Sequence, residues 1–181
     1  MSNERQVIYE GMCYFIPLSM LRETPKVQFH FVPSLLEEGV ASIQRVKHEP
    51  GALSPSVEGL NDEQPWYMHK HQEDNCMVLS GERVIDLYTK EHGLKTFIAT
   101  EDSLIHEGEV LIDEPFVIGW YMNVFHRPNS PKGSTSIFIT RHAEGFDFDT
   151  EFNIYHLELS TGEYEVLREG RLDQPVSEHC E

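Results

Sequence analysis

A chain of 181 residues carrying 31 acidic and 14 basic side chains has a formal charge of −17. That charge repels polyphosphate backbones and anionic bilayers over a Debye length of about 8 Å, which argues against nucleic-acid and membrane-surface partners. The length suits one domain with a single core. Cys13, Cys76 and Cys180 are too few and too scattered for a disulfide scaffold, no signal peptide opens the chain, and nowhere do about eighteen apolar residues run together, so a soluble, cytoplasmic protein is expected.

In chain order, residues 1–40 contain two apolar runs, Val7-Ile8-Tyr9 and Tyr14-Phe15-Ile16, that need cover and read as extra strands or as an arm clasping a partner. A short helix is expected over Ser34-Leu35-Leu36-Glu37-Glu38, with Ser34 as cap and Gly39 as stop. Residues 41–142 then carry short strand-like runs at regular spacing, beginning with Ala41 to Val46. Residues 48–65 are rich in Pro, Gly, Ser and acids and read as a loop over one end of a barrel, a place where lids form. Turns at Ser80-Gly81-Glu82, at Glu91-His92-Gly93 and at Asn129 to Gly133 are expected to close hairpins. The last segment, 143–181, alternates cleanly over Ile154 to Leu159 and Tyr164 to Leu167, giving a terminal hairpin, and ends in an acidic tail. The whole reads as an all-β sandwich or barrel with a few short helices.

The segment His69-Lys70-His71 has the layout of a strand-borne site. Two imidazoles at i and i+2 of a strand share a face, whereas on a helix they splay by about 200°. Tyr67 falls on the same face by the same rule, and Glu73 extends it, while Asp74 points the other way. Cys76 reads as a buried small hydrophobe. Trp66, Trp120, Tyr121 and Met122 are candidate pocket walls, and Arg45, Arg83 and Arg141 are candidates for holding a small anion.

These residues resemble the first motif of the cupin superfamily, a His-x-His followed after three or four residues by a Glu and, six positions later, a Gly. His69, His71 and Gly81 match, and Asn75 stands at the Glu position. Gly108 to Ile112 followed by His126-Arg127-Pro128-Asn129 is similar to the second motif. The resemblance, to a small single-domain RmlC-like cupin, implies a double-stranded β-helix, or jelly-roll barrel, that forms a homodimer. It also implies one divalent metal, iron first and zinc, nickel or manganese otherwise, held by His69, His71, His126 and Asn75; the shared strand face makes Tyr67 and Glu73 the catalytic candidates beside it, Glu73 as the spare carboxylate. The first expectation for function is oxygen-dependent cleavage of a small organic substrate by a three-His Fe(II) dioxygenase. The alternatives are a metal-free sugar epimerase or ketoisomerase, with a His as base, a Tyr as acid and Arg residues holding a phosphate or diphosphate, and a non-catalytic ligand-binding cupin.

Overall fold

Alternation along Arg83–Thr89 turns Arg83, Ile85 and Leu87 inward to full burial and leaves Val84 and Asp86 half-exposed, as a strand with one covered face requires. That strand, β9, is one of seventeen in the computed structural model, which describes residues 4–32, 36, 39–56 and 64–172. Six of the strands form one sheet: β1 (Gln6–Tyr9), β2 (Cys13–Pro17), β5 (Val40–His48), β8 (Gln72–Gly81), β13 (Phe116–Trp120) and β15 (Ser134–His142), in the order β1-β2-β13-β8-β15-β5. The second sheet has nine. It contains β6 (Ala52–Leu53), β7 (Trp66–Met68), β9, β10 (Gly93–Ala99), β11 (Leu104–His106), β12 (Glu109–Ile112), β14 (Phe125–Ser130), β16 (Ile154–Glu158) and β17 (Glu163–Arg168). Its order is β12-β11-β10-β9-β14-β7-β16-β17, with β6 on β14. A separate hairpin pairs β3 (Ser19–Thr24) with β4 (Val27–Phe31). Every pairing among the described residues is antiparallel, which gives the all-β jelly roll expected from the sequence.

The two sheets face each other across a core that includes Phe15, Cys76, Val78, Ile85, Leu87, Phe97, Ile118 and Trp120. A second cluster lies on the outer face of the six-stranded sheet, where Tyr14, Ile16, Val117 and Ile139 are covered by Leu18 and Leu36. β2 is therefore buried on both faces. Burial of Tyr14, Phe15 and Ile16 contributes roughly 1.5–3 kcal/mol each, a sum comparable with the net stability of a domain, so this segment is an integral strand and no loose arm. Apart from Leu36, the helix expected over 34–38 lies outside the described residues, as does most of the acidic tail.

Two turns differ from expectation. The chain leaves β8 in one sheet and enters β9 in the other, and likewise passes from β14 to β15, so the glycine turns at 81 and 133 are sheet-to-sheet crossings and close no hairpin. Both glycines have φ near +80°, and a Cβ on Gly81 would meet the Gly133 carbonyl oxygen at 2.1 Å. A period-two pattern reports which face a residue occupies and says nothing of which sheet its strand joins. The turn at residues 90–92 does close the β9–β10 hairpin, and β16 pairs with β17. Among the described residues no helix is long and apolar enough to cross a membrane.

Candidate active site

β7 ends at Met68, and residues 69–71 bend as the chain passes from the nine-stranded to the six-stranded sheet. The carbonyl of His69 accepts from Asn123 N–H at 2.7 Å and that of His71 from Ala143 N–H at 2.8 Å, so each backbone bonds to a different segment. His69 consequently turns into the barrel, and His71 turns out to the rim. The bend also resets the alternation. From Gln72 onward Gln72, Asp74, Cys76 and Val78 face the interior, and Glu73, Asn75 and Met77 face the outer side of the sheet.

His126, on β14, completes the interior group. Its ring lies 4.8 Å from that of His69, and Asp74 Oδ2 lies 3.6 Å from His69 Nε2 and 3.7 Å from His126 Nε2. Each imidazole donates from Nδ1 to a backbone carbonyl, His69 to Glu151 at 2.6 Å and His126 to Val124 at 3.1 Å. That fixes the tautomer and leaves both Nε2 lone pairs facing Asp74. Asp74 itself accepts from Gln72 Nε2 at 2.8 Å and Trp120 Nε1 at 3.1 Å. Burial pushes its carboxyl above the usual carboxylate range, and burial followed by the nearby His69 charge pushes His126 well below the usual histidine value.

A cavity of about 190 Å³ opens over this group, lined by His69, Asp74, His126, Tyr67 and Trp120 at one end and by Arg83, His48 and Phe138 at the other. Tyr67 lies nearly parallel to His69 at 6.2 Å between ring centroids and 5.9 Å from His126. Phe152 packs edge-on against His69 at 5.2 Å. Phe152 follows a single helical turn, α1 (Phe148–Glu151), whose N-terminus is capped by the Asp147 side chain.

No protein-family profile and no curated protein sequence matches this chain. Solved structures do match. A sugar 3,4-ketoisomerase, QdtA from Thermoanaerobacterium thermosaccharolyticum in complex with TDP, superimposes with a TM-score of 0.53 at 9% identity, covering 78% of this chain and 85% of that one. The fold is that of an RmlC-like cupin. A dTDP-4-dehydrorhamnose 3,5-epimerase from Sulfolobus tokodaii matches with a TM-score of 0.49 at 11% identity, covering 81% of this chain and 78% of that one.

Within this cupin barrel the residues expected from sequence separate. Tyr67, His69 and His126 line one cavity; His71, Glu73 and Asn75 do not. His71 Nδ1 lies 2.5 Å from Glu151 Oε1. Asn75 is buried behind the sheet, its Oδ1 2.7 Å from Tyr14 Oη and its amide donating to the Ile139 carbonyl at 3.2 Å. Glu73 pairs there with Arg5 at 2.7 Å and accepts from Tyr14 at 2.8 Å.

The expected divalent metal, iron first, is therefore corrected, and with it the dioxygenase reading. The ligand set His69, His71, His126 and Asn75 is not assembled, because the bend at 69–71 puts its members on three different surfaces. The groups that converge are instead the His69 and His126 imidazoles and the Asp74 carboxyl, whose burial raises it above the usual carboxylate range. Sequence reasoning missed Asp74 as a site residue, and it missed Glu151 altogether. An odd spacing from His69 hides Asp74 from a period-two reading, and Glu151 lies 80 residues from its partner with no local signal.

Proposed function

We propose that this cavity is the active site of a sugar isomerase or epimerase that transfers a proton at a carbon beside a carbonyl, with no metal in the step. The observation that carries it is the carboxyl of Asp74 held between the inward Nε2 atoms of His69 and His126 in the wall of a sugar-sized cavity. In this reading His69 is the base. Its Nε2 takes the proton from carbon, the C–H pair moves to form an enediolate, and the imidazolium forms beside the Asp74 carboxyl with its Nδ1–H held by the Glu151 carbonyl at 2.6 Å. His126 stays neutral, since burial and a charge on His69 both oppose its protonation. Tyr67, stacked beside His69 in the cavity wall, returns a proton. Delivery to the neighbouring carbon, as the hydroxyl proton passes to the former carbonyl oxygen, isomerises the sugar, and delivery to the opposite face of the same carbon epimerises it; proton transfer through water from the His69 imidazolium to the tyrosinate resets both groups. The fold shared with a sugar 3,4-ketoisomerase supports this chemistry.

The test is proton NMR in deuterium oxide with a panel of aldoses, ketoses and 4-keto sugars, both free and linked to TDP. Enzyme-dependent loss of a signal beside the carbonyl is expected, falling by about a hundredfold or more in His69→Asn and Tyr67→Phe. Exchange with no member of the panel, in protein that still binds some of them, would leave a ligand-binding module instead.

A further inference from the structure

Arg83 is a charged group sealed inside the barrel. It is 0% exposed and lines the same cavity as His69 and Asp74, at the other end. Nε donates to Ser136 Oγ at 2.6 Å, the guanidinium carbon lies 5.3 Å from the centre of the Phe138 ring, and Nη2 has no hydrogen-bond partner. Among the described residues no carboxylate pairs with it. The titratable groups it interacts with are uncharged near neutral pH: burial pushes the Cys76 thiol up to about 11 and the His48 imidazole down to about 4. His48 in turn hydrogen-bonds Ser130, and Ser130 meets Ser134 at 2.7 Å, so hydroxyls and an imidazole gather at this end.

A guanidinium retains its charge in proteins, and a buried charge without a partner is among the costliest groups a fold can carry. Its fork geometry matches carboxylate and phosphate. At about 190 Å³ that cavity is smaller than the roughly 300–1,000 Å³ of sites for drug-sized ligands, and suits a monosaccharide better than a nucleotide.

We infer that Arg83 receives an oxyanion carried by the monosaccharide-sized part of the substrate, so that the substrate is a sugar acid or a sugar phosphate. This rests on the proton-transfer reading above and narrows its substrate class. The anion is drawn past an acidic surface to the one end of the cavity where a cation waits for it.

The experiment is isothermal titration of the wild-type protein with hexuronates, the matching uncharged hexuronamides, hexose 6-phosphates and neutral hexoses, and with inorganic phosphate as the smallest probe. Anionic members should bind about ten to a hundred times more tightly than their neutral counterparts, and the better of carboxylate and phosphate identifies the oxyanion. Arg83→Met should abolish that preference while retaining the wild-type circular dichroism. Equal binding of hexuronate and hexuronamide, no binding by any anionic probe, or a preference that survives Arg83→Met overturns the inference. The comparison of acid with amide decides it even if the variant does not fold. Proton exchange is read separately: His69→Asn removes exchange and leaves the anion preference, so failure of the chemistry and failure of the anion site are distinguishable.

Discussion

Glu151 holds His71 at two points, accepting the backbone N–H at 3.0 Å and lying 2.5 Å from ring Nδ1, from a position only 2% exposed. The same residue presents its backbone carbonyl to His69 Nδ1. One residue of α1 thus ties both members of the His-x-His segment, the outer one through its backbone and ring and the inner one through its Nδ1–H. His71 serves the site by fixing the segment that carries Phe152 over it.

Glu151→Ala should therefore cost about 1–3 kcal/mol, because it strips a buried N–H and an imidazole of their acceptor. Proton exchange should fall at least tenfold as the Glu151 carbonyl and Phe152 lose their registration on His69. Glu151→Gln keeps an acceptor for the His71 N–H and should retain most of the stability. Chemical denaturation and the NMR exchange assay check both; wild-type values for Glu151→Ala would show that α1 is not tethered through this contact.

The barrel was legible because Arg83–Thr89 alternates polar and apolar residues, and because the apolar run Tyr14-Phe15-Ile16 needs cover. Tyr67 and His69 share the cavity as period two requires, and Cys76 lies in the core. The alternation failed at one place, the bend at 69–71, where a crossing between sheets shifts the phase by one residue. That single shift moved Asp74 into the site and carried Glu73 and Asn75 out of it. The isolation of Arg83 was not legible at all, since an unpaired charge is a property of every neighbour that the fold brings near it.

Asp74→Asn should stabilise the protein at pH 7 while removing proton exchange. Burial raises the folded-state carboxyl above its ordinary 3.8, so the folded protein binds more protons than the unfolded chain from there up to the raised value, and stability falls as pH rises through that interval. An amide escapes this cost and still accepts from Trp120 or Gln72. A gain of about 0.5–2 kcal/mol at pH 7 that disappears near pH 3.5 is expected from denaturation at the two pH values, in the usual opposition of site chemistry and stability.

His48 gives the opposite slope. Burial first, and the charge of Arg83 second, lower it to about 4 from 6.5, so between those values the unfolded chain binds the proton and the folded protein does not. Its stabilising contribution is complete above pH 6.5 and is lost as pH falls toward 4. His126, lowered by burial, acts in the same direction. Thermal melts across pH 4–7.5 should therefore show a shallower acid decline in His48→Gln than in wild type, and a parallel decline would remove His48 from the account.

Gly81→Ala tests the two crossings that set the sheets against each other. Gly81 sits at φ +80°, where a side chain is strained, and its added Cβ would meet Gly133 carbonyl oxygen at 2.1 Å and Ser134 Cα at 2.9 Å. These are backbone atoms and cannot rotate away. The Gly133 carbonyl also accepts from the Glu82 N–H, so displacing it breaks the bond that joins the β8–β9 crossing to the β14–β15 crossing. A loss of about 3 kcal/mol is expected in urea denaturation. Gly93→Ala is the control: its φ is similar at +67°, but nothing lies within 4 Å of the added Cβ, so only the conformational strain of about 1–2 kcal/mol should remain. Equal losses in the two variants would show that the contact between the crossings contributes nothing to the fold.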